Sequence, residues 1–250
     1  MSDLMQDQAP GLTLEGAVAT ITLRRPRQHN RIAPEDSAVI RQYLTQLETT
    51  PGLRLLILTG TGEKTFSSGY TLSAIREQLD SRFEDMLDHI ERFALPTLCV
   101  LNGSVYGGAT DLALCCDFRI GVHGSRMLMP ASRIGLHYYP GGLRRYVTVL
   151  GLASAKKLFL TAQTISDQEM LRIGFLNDLV AVDELAATVR AYVDGILACE
   201  SKVIATMKVD LMAMAEGSAD EVILRMHYAE SLKSPELATR LDAMNKRGQN

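Results

Sequence analysis

Asp111 is the one charge in a small, apolar stretch, Ala109 to Cys116, that follows two adjacent glycines, Gly107 and Gly108. A buried carboxylate is costly unless it is paired, hydrogen-bonded or neutralised, and one in the first turn of a helix also feels that helix's positive end. Asp111 therefore has a partner or a chemical job, and as a job it would move protons. The glycines add a second kind of chemistry. At a helix N-terminus they let a ligand approach backbone N–H groups that lack intrahelical acceptors, which makes Gly107-Gly108 a candidate oxyanion site. A further stretch, Phe66-Ser67-Ser68-Gly69-Tyr70, is small and polar, and its glycine would again let the backbone come close to a ligand.

The elements that must hold these residues alternate in the first half of the chain. Ala17 to Leu23 and Leu53 to Thr59 have strand composition, and Leu98 to Leu101 and Phe118 to Val122 flank the Gly-Gly stretch as further strands. Val39, Ile40, Tyr43, Leu44 and Leu47 recur at helical spacing behind Pro34-Glu35-Asp36, and residues 75–93 carry a second helical stripe that Pro96 ends. This half is α/β. From Leu143 the pattern is helical: Arg144 to Leu150, Ser154 to Leu160, Ser166 to Ile173, Glu184 to Cys199, Ser201 to Ala215 and Asp220 to Lys233. We divide the chain into a core over 1–195 and a C-terminal helical region over 196–250.

At 250 residues and 46% hydrophobic, the chain can bury a sizeable core. A net charge of -3 without a dense basic block argues against nucleic acid as a partner. The four cysteines and five histidines form no metal-ligand spacing. With neither a basic leader nor an apolar run of about 18 residues, the default is a soluble cytoplasmic protein with no membrane association.

Taken in order, RPRQHN, ILTGTGEKTFSSGYTL, LPTLCVLNGSVYGGATDLALCCDFRIG, PASRIGLHYYPGG and GLASAKKLFLTAQTISDQEMLRIGFLNDLV resemble the crotonase superfamily, the enoyl-CoA hydratase/isomerase-like enzymes. The resemblance runs from the first strand to Asn245-Lys246-Arg247. It implies a fold of repeated strand-strand-helix units followed by a helical trimerisation region. The chain would then be a homotrimer or a dimer of trimers acting on acyl-CoA thioesters, with coenzyme A as part of the substrate and no separate cofactor. It also implies an oxyanion hole made by the backbone N–H groups of Tyr70 and Gly108, with Ser68, Gly69, Gly107 and Ala131 as substrate-binding positions. Two such donors stabilise an enolate at a thioester oxygen, and loss of one costs about 3–4 kcal/mol of barrier.

In the hydratases of this family two glutamates handle water and proton. Here the first is Asp111 and the second is Ala131, a methyl group that transfers no proton. Tyr70 and Tyr138 stand where decarboxylating members place a His and a Tyr, and that pairing resembles methylmalonyl-CoA decarboxylase. Arg25, Arg27, Lys246 and Arg247 match segments near the nucleotide end of the ligand and could pair with its phosphates. Three readings result: an enoyl-CoA hydratase or isomerase with Asp111 as acid/base, an acyl-CoA decarboxylase or thioester hydrolase, and a coenzyme A-binding paralogue without turnover.

Overall fold

A computed structural model describes residues 7–247. By compactness the chain forms two units, one ending at Ile196 and the other beginning at Leu197. In the first, β1 (Gly11–Glu15) and β2 (Val18–Leu23) form an antiparallel hairpin, and α1 (Asp36–Glu48) follows. Next come β3 (Leu55–Gly60), β4 (Thr65–Ser67), α2 (Ile75–Gln78) and α3 (Ser81–Glu91), then β5 (Thr97–Leu101), β6 (Ser104–Tyr106) and α4 (Gly108–Leu114). β7 (Phe118–Val122), β8 (Arg126–Leu128), α5 (Pro140–Thr161), β9 (Ile165–Ser166), α6 (Asp167–Arg172), β10 (Asp178–Val180) and α7 (Leu185–Ala198) complete the series.

The strands sort into two sheets, ordered β1-β2-β3-β5-β7-β10 and β4-β6-β8-β9. The first strand of each pair β3/β4, β5/β6 and β7/β8 joins the large sheet and the second joins the small one, before the chain enters a helix. The repeated strand-strand-helix organisation expected from the resemblance is therefore present, although β4, β6, β8 and β9, of two or three residues each, are too short to leave a period in the sequence.

Residue composition accounts for the strand positions. Ala19, Ile21 and Leu23 alternate inward along β2, the second strand from the sheet edge, whereas Leu55 to Leu58 are buried at every position because β3 is covered on both faces. One helical expectation needs correction. Residues 75–93 are interrupted at Leu79, which is extended, and Asp80 restarts the helix by accepting from the Arg82 backbone N–H. The two helices expected between Arg144 and Leu160 follow each other along α5, where Gly151, with φ 77° and ψ 157°, is not helical and kinks the chain between them.

The second unit holds α8 (Ser201–Glu216), α9 (Glu221–Leu232) and α10 (Pro235–Arg247); the last of these was not foreseen. Leu211, Met214, Val222, Met226 and Met244 are exposed there. No helix of the described residues is long and apolar enough to cross a membrane.

Close backbone approach ties the two sheets together behind the chemistry-bearing turns. Gly103, between β5 and β6, lies so near the β4 entry that a Cβ there would sit 2.4 Å from the Lys64 carbonyl carbon and 2.6 Å from the Thr65 nitrogen. Backbone cannot yield as a flexible side chain can. Gly103→Ala is expected to destabilise the protein by about 1–3 kcal/mol, read as a lower urea midpoint with unchanged slope.

Candidate functional site

Two turns meet at the mouth of a cavity of about 780 Å³. One carries Ser68-Gly69-Tyr70 after β4, and the other carries Tyr106-Gly107-Gly108 where β6 enters α4. Gly69 has φ 83°, and a Cβ on it would lie 2.6 Å from the Tyr106 carbonyl oxygen and 2.8 Å from the Gly108 nitrogen. Only glycine permits that approach.

The segment before α1 fastens the first turn. Ser67 Oγ donates to the Asn30 carbonyl (2.7 Å), and the N–H of Ser68 donates to the His29 carbonyl (2.8 Å). Ile32 N–H in turn donates to the Gly69 carbonyl (2.8 Å). The Asn30 amide closes the loop by donating to the carbonyls of Thr61 and Thr65, both at 2.9 Å. RPRQHN and FSSGY are thus one mechanical part. The second turn is held by Gly107 N–H donating to the Leu128 carbonyl (2.9 Å) and by Thr110 Oγ1 donating to the Gly107 carbonyl (2.6 Å).

The N–H groups of Tyr70 and Gly108 have no acceptor among the described residues, and both residues line the cavity. A Cβ on Gly108 would be 3.7 Å from the Tyr70 nitrogen, so the two donors are neighbours. Gly108 is the first residue of α4, where helix geometry supplies no partner for its N–H. Phe83 closes the cavity over this turn, and its ring meets Tyr70 edge-on at 5.2 Å between centroids.

Asp111 has a partner, the first of the two alternatives that its sequence context left open. It is fully buried behind the cavity wall and accepts from Arg145 Nε (2.8 Å to Oδ1) and Nη2 (3.1 Å to Oδ2). Its Oδ2 also accepts from the Tyr138 hydroxyl (3.2 Å) and from the Tyr139 hydroxyl. Arg145 extends the cluster by donating from Nη1 to Asp88 (2.7 Å) and Glu91 (2.9 Å), and Arg144 pairs with Glu91 at 2.5 Å. Gly142 makes room for Asp111, because a Cβ there would strike the Tyr138 ring at 2.3 Å and Asp111 Oδ2 at 2.8 Å.

Tyr138 presents its ring to the cavity while its hydroxyl faces Asp111, and burial together with that carboxylate pushes its phenol well above the usual range. Tyr70 donates its hydroxyl to the Gln78 carbonyl (2.9 Å), and burial raises its phenol too. Ala131, Ser68 and Gly107 line the cavity. His137 lines it as well, with Nδ1 2.8 Å from the Tyr138 carbonyl.

Among the candidate phosphate partners, Arg25 is already engaged: it is buried, donates to Asp36 and lies 3.5 Å from Glu35. Arg27 is exposed. Lys246 is exposed on α10 of the second unit, whereas the side chain of Arg247 lies outside the described residues. A residue that sequence reasoning missed, Arg31, stands beside the main cavity. It lines a second hollow of about 470 Å³ with Ser68, Tyr70 and Thr71, and its Nη1 donates to Thr71 Oγ1 (2.5 Å).

Asp80 and Glu84 were missed as well. They follow each other at i, i+4 at the start of α3, and both line the cavity. Reading 75–93 as one helix concealed them; the Asp80-Ser81 cap was the available signal. Asp80 is held below the usual carboxylate range by Arg82, whereas burial, with Asp88 nearby, raises Glu84. No group of His, Cys, Asp and Glu among the described residues could hold a metal ion.

Breaking the buried pair should be severe, since it strands a charge. Asp111→Asn is expected to cost about 3–5 kcal/mol in denaturant unfolding. Combining Asp111→Leu with Arg145→Met should cost less than the sum of the single losses, the sign of direct coupling in a double-mutant cycle.

The model of the family described as enoyl-CoA hydratase/isomerase matches residues 13–232. The short-chain-enoyl-CoA hydratase of Clostridium acetobutylicum is 31% identical over 193 residues, 74% of each chain. The carnitinyl-CoA dehydratase of Salmonella typhi is 30% identical over 216 residues, 84% of this chain and 82% of that one. The crystal structure of enoyl-CoA hydratase from Bacillus anthracis superposes with a TM-score of 0.86 at 23% identity, covering 96% of this chain and 97% of that one. A structure of an enoyl-CoA hydratase/isomerase family protein from Hyphomonas neptunium gives 0.89 at 20% identity, covering 97% of both chains. With a match that spans the core and continues into the C-terminal helices, the chain belongs to the enoyl-CoA hydratase/isomerase family.

Proposed function

We propose that this protein hydrates or isomerises an enoyl-CoA thioester through an enolate whose oxygen accepts from Tyr70 N–H and Gly108 N–H. The observation that carries this reading is the pair of adjacent backbone donors without protein acceptors, held at the cavity by two hydrogen-bonded turns. Donors fixed before the reaction stabilise developing negative charge without reorganising, which is why such a pair lowers the barrier to an enolate. The hydratases among its relatives support the same chemistry.

The acyl chain occupies the larger cavity, whose wall is apolar and aromatic at Leu79, Phe83, Met129, Leu136, Tyr138 and Leu143. Coenzyme A, a portion of the substrate and not a separate cofactor, leaves past Ser68 into the smaller hollow, where Arg31 offers positive charge to its phosphates. The exposed apolar side chains of α8, α9 and α10 support self-association as a trimer or dimer of trimers.

Gly108→Pro removes one donor at a helix position that tolerates proline, whereas Gly108→Ala adds a Cβ and keeps the N–H. With crotonyl-CoA as probe, the proline variant is expected to lose about 10²–10³ in kcat relative to the alanine variant. Equal rates in the two, at equal thermal midpoints, would remove Gly108 N–H from the chemistry. In sedimentation the full chain is expected at three or six times its 27.5 kDa mass.

A further inference from the structure

The cavity contains a carboxyl group that no sequence motif announces. Asp111 is consumed by Arg145 and position 131 is a methyl group, so neither wall position that would be read as acid or base reaches the cavity with a carboxylate. Asp80 lines the cavity but is bound to Arg82 through both the Nε (3.0 and 2.9 Å) and the backbone N–H (3.0 Å). Glu84 is different. It is half-buried on the first turns of α3, next to Phe83 at the oxyanion turn, and makes no hydrogen bond or ion pair among the described residues.

Its surroundings favour a held proton. One turn on, Asp88, itself partly exposed, joins Glu91 and the buried Asp111 in a cluster with Arg144 and the buried Arg145, three carboxylates against two guanidiniums. The nearby field is negative on balance, and the wall beside Glu84 is apolar. Both conditions disfavour a second anion there, the usual way an enzyme brings a glutamate toward neutral pH. The buried pair thereby acts on the site at one remove.

Building on the acyl-CoA reading above, we propose that Glu84 is the proton carrier of this enzyme, a single carboxyl group in place of a facing pair. In hydration of a 2-enoyl thioester, the Glu84 carboxylate takes a proton from water as the water oxygen bonds to the β carbon. The C=C pair moves through the α carbon to the thioester oxygen, giving the enolate held by Tyr70 and Gly108. Neutral Glu84 then gives that proton to the α carbon while the enolate pair restores the C=O bond, and the carboxylate is regenerated. The same group can take a proton from one carbon of an enoyl chain and return it to another, which is isomerisation.

The test uses the full chain with crotonyl-CoA for turnover and butyryl-CoA for binding and for α-proton exchange in deuterated water. Glu84→Gln is expected to lose about 10²-fold or more in kcat and in α-proton exchange, with butyryl-CoA affinity and thermal midpoint retained. Glu84→Asp should recover part of the rate. The wild-type rate should fall as pH drops through an apparent pKa above the ordinary glutamate value of 4.5, and the glutamine variant should lack that limb. Wild-type turnover in Glu84→Gln would overturn the role of Glu84 and leave the acyl-CoA reading standing. Failure of the wild-type protein to bind butyryl-CoA would overturn both, and binding without turnover or exchange would overturn the proton-carrier role.

Discussion

A fully buried arginine and a fully buried aspartate, joined by two hydrogen bonds, set the relation between α4 and α5. Removing either charge leaves the other stranded at a cost of several kcal/mol, so both helices must keep the geometry that pairs them. The tyrosines follow from the same constraint. Tyr138 and Tyr139 stack at 4.5 Å and turn their hydroxyls to Asp111, which leaves their rings to form the cavity wall. A carboxylate in the expected place has thus become part of the frame that holds α4, and with it the N–H of Gly108, in position.

Glycine placement does the complementary work. At Gly69, Gly103 and Gly142 the missing side chain lets backbone or ring atoms come closer than any Cβ would allow. Those approaches bring the two donor turns together, lock the small sheet onto the large one and seat Tyr138 against Asp111. The candidate oxyanion site is consequently built from backbone, held by hydrogen bonds between turns that lie far apart in sequence, and insensitive to the identity of most side chains around it. Proton handling has no such backbone substitute, since it needs a titratable group in the cavity. Asp111 is paired with Arg145 and position 131 carries a methyl group, so the carboxylates on the cavity wall are those of Asp80 and Glu84 at the start of α3.

Much of the fold and half of the site were legible along the chain. Buried strands such as Leu55 to Leu58, the helical stripe of α1 and the Gly-Gly entry to α4 each have a local physical signature. RPRQHN, FSSGY and YGGATD could be placed together because their order resembles a known family. The short strands of the small sheet were not legible, because two or three residues carry no period; the break at Leu79 was hidden because apolar residues continue on both sides of it. That hidden break is why Asp80 and Glu84 went unnoticed.

By itself, then, the sequence determined the α/β core, the family, and the two backbone donors, since these depend on local propensity and on glycines that nothing else can replace. Only the tertiary structure decided what each charge does. Asp111 and Arg145 are 34 positions apart, as Arg25 and Asp36 are 11 apart, and nothing in their spacing says that they meet. Whether a carboxylate is a reagent or a strut depends on which guanidinium the fold brings to it, and that is a property of packing between helices and not of either helix alone.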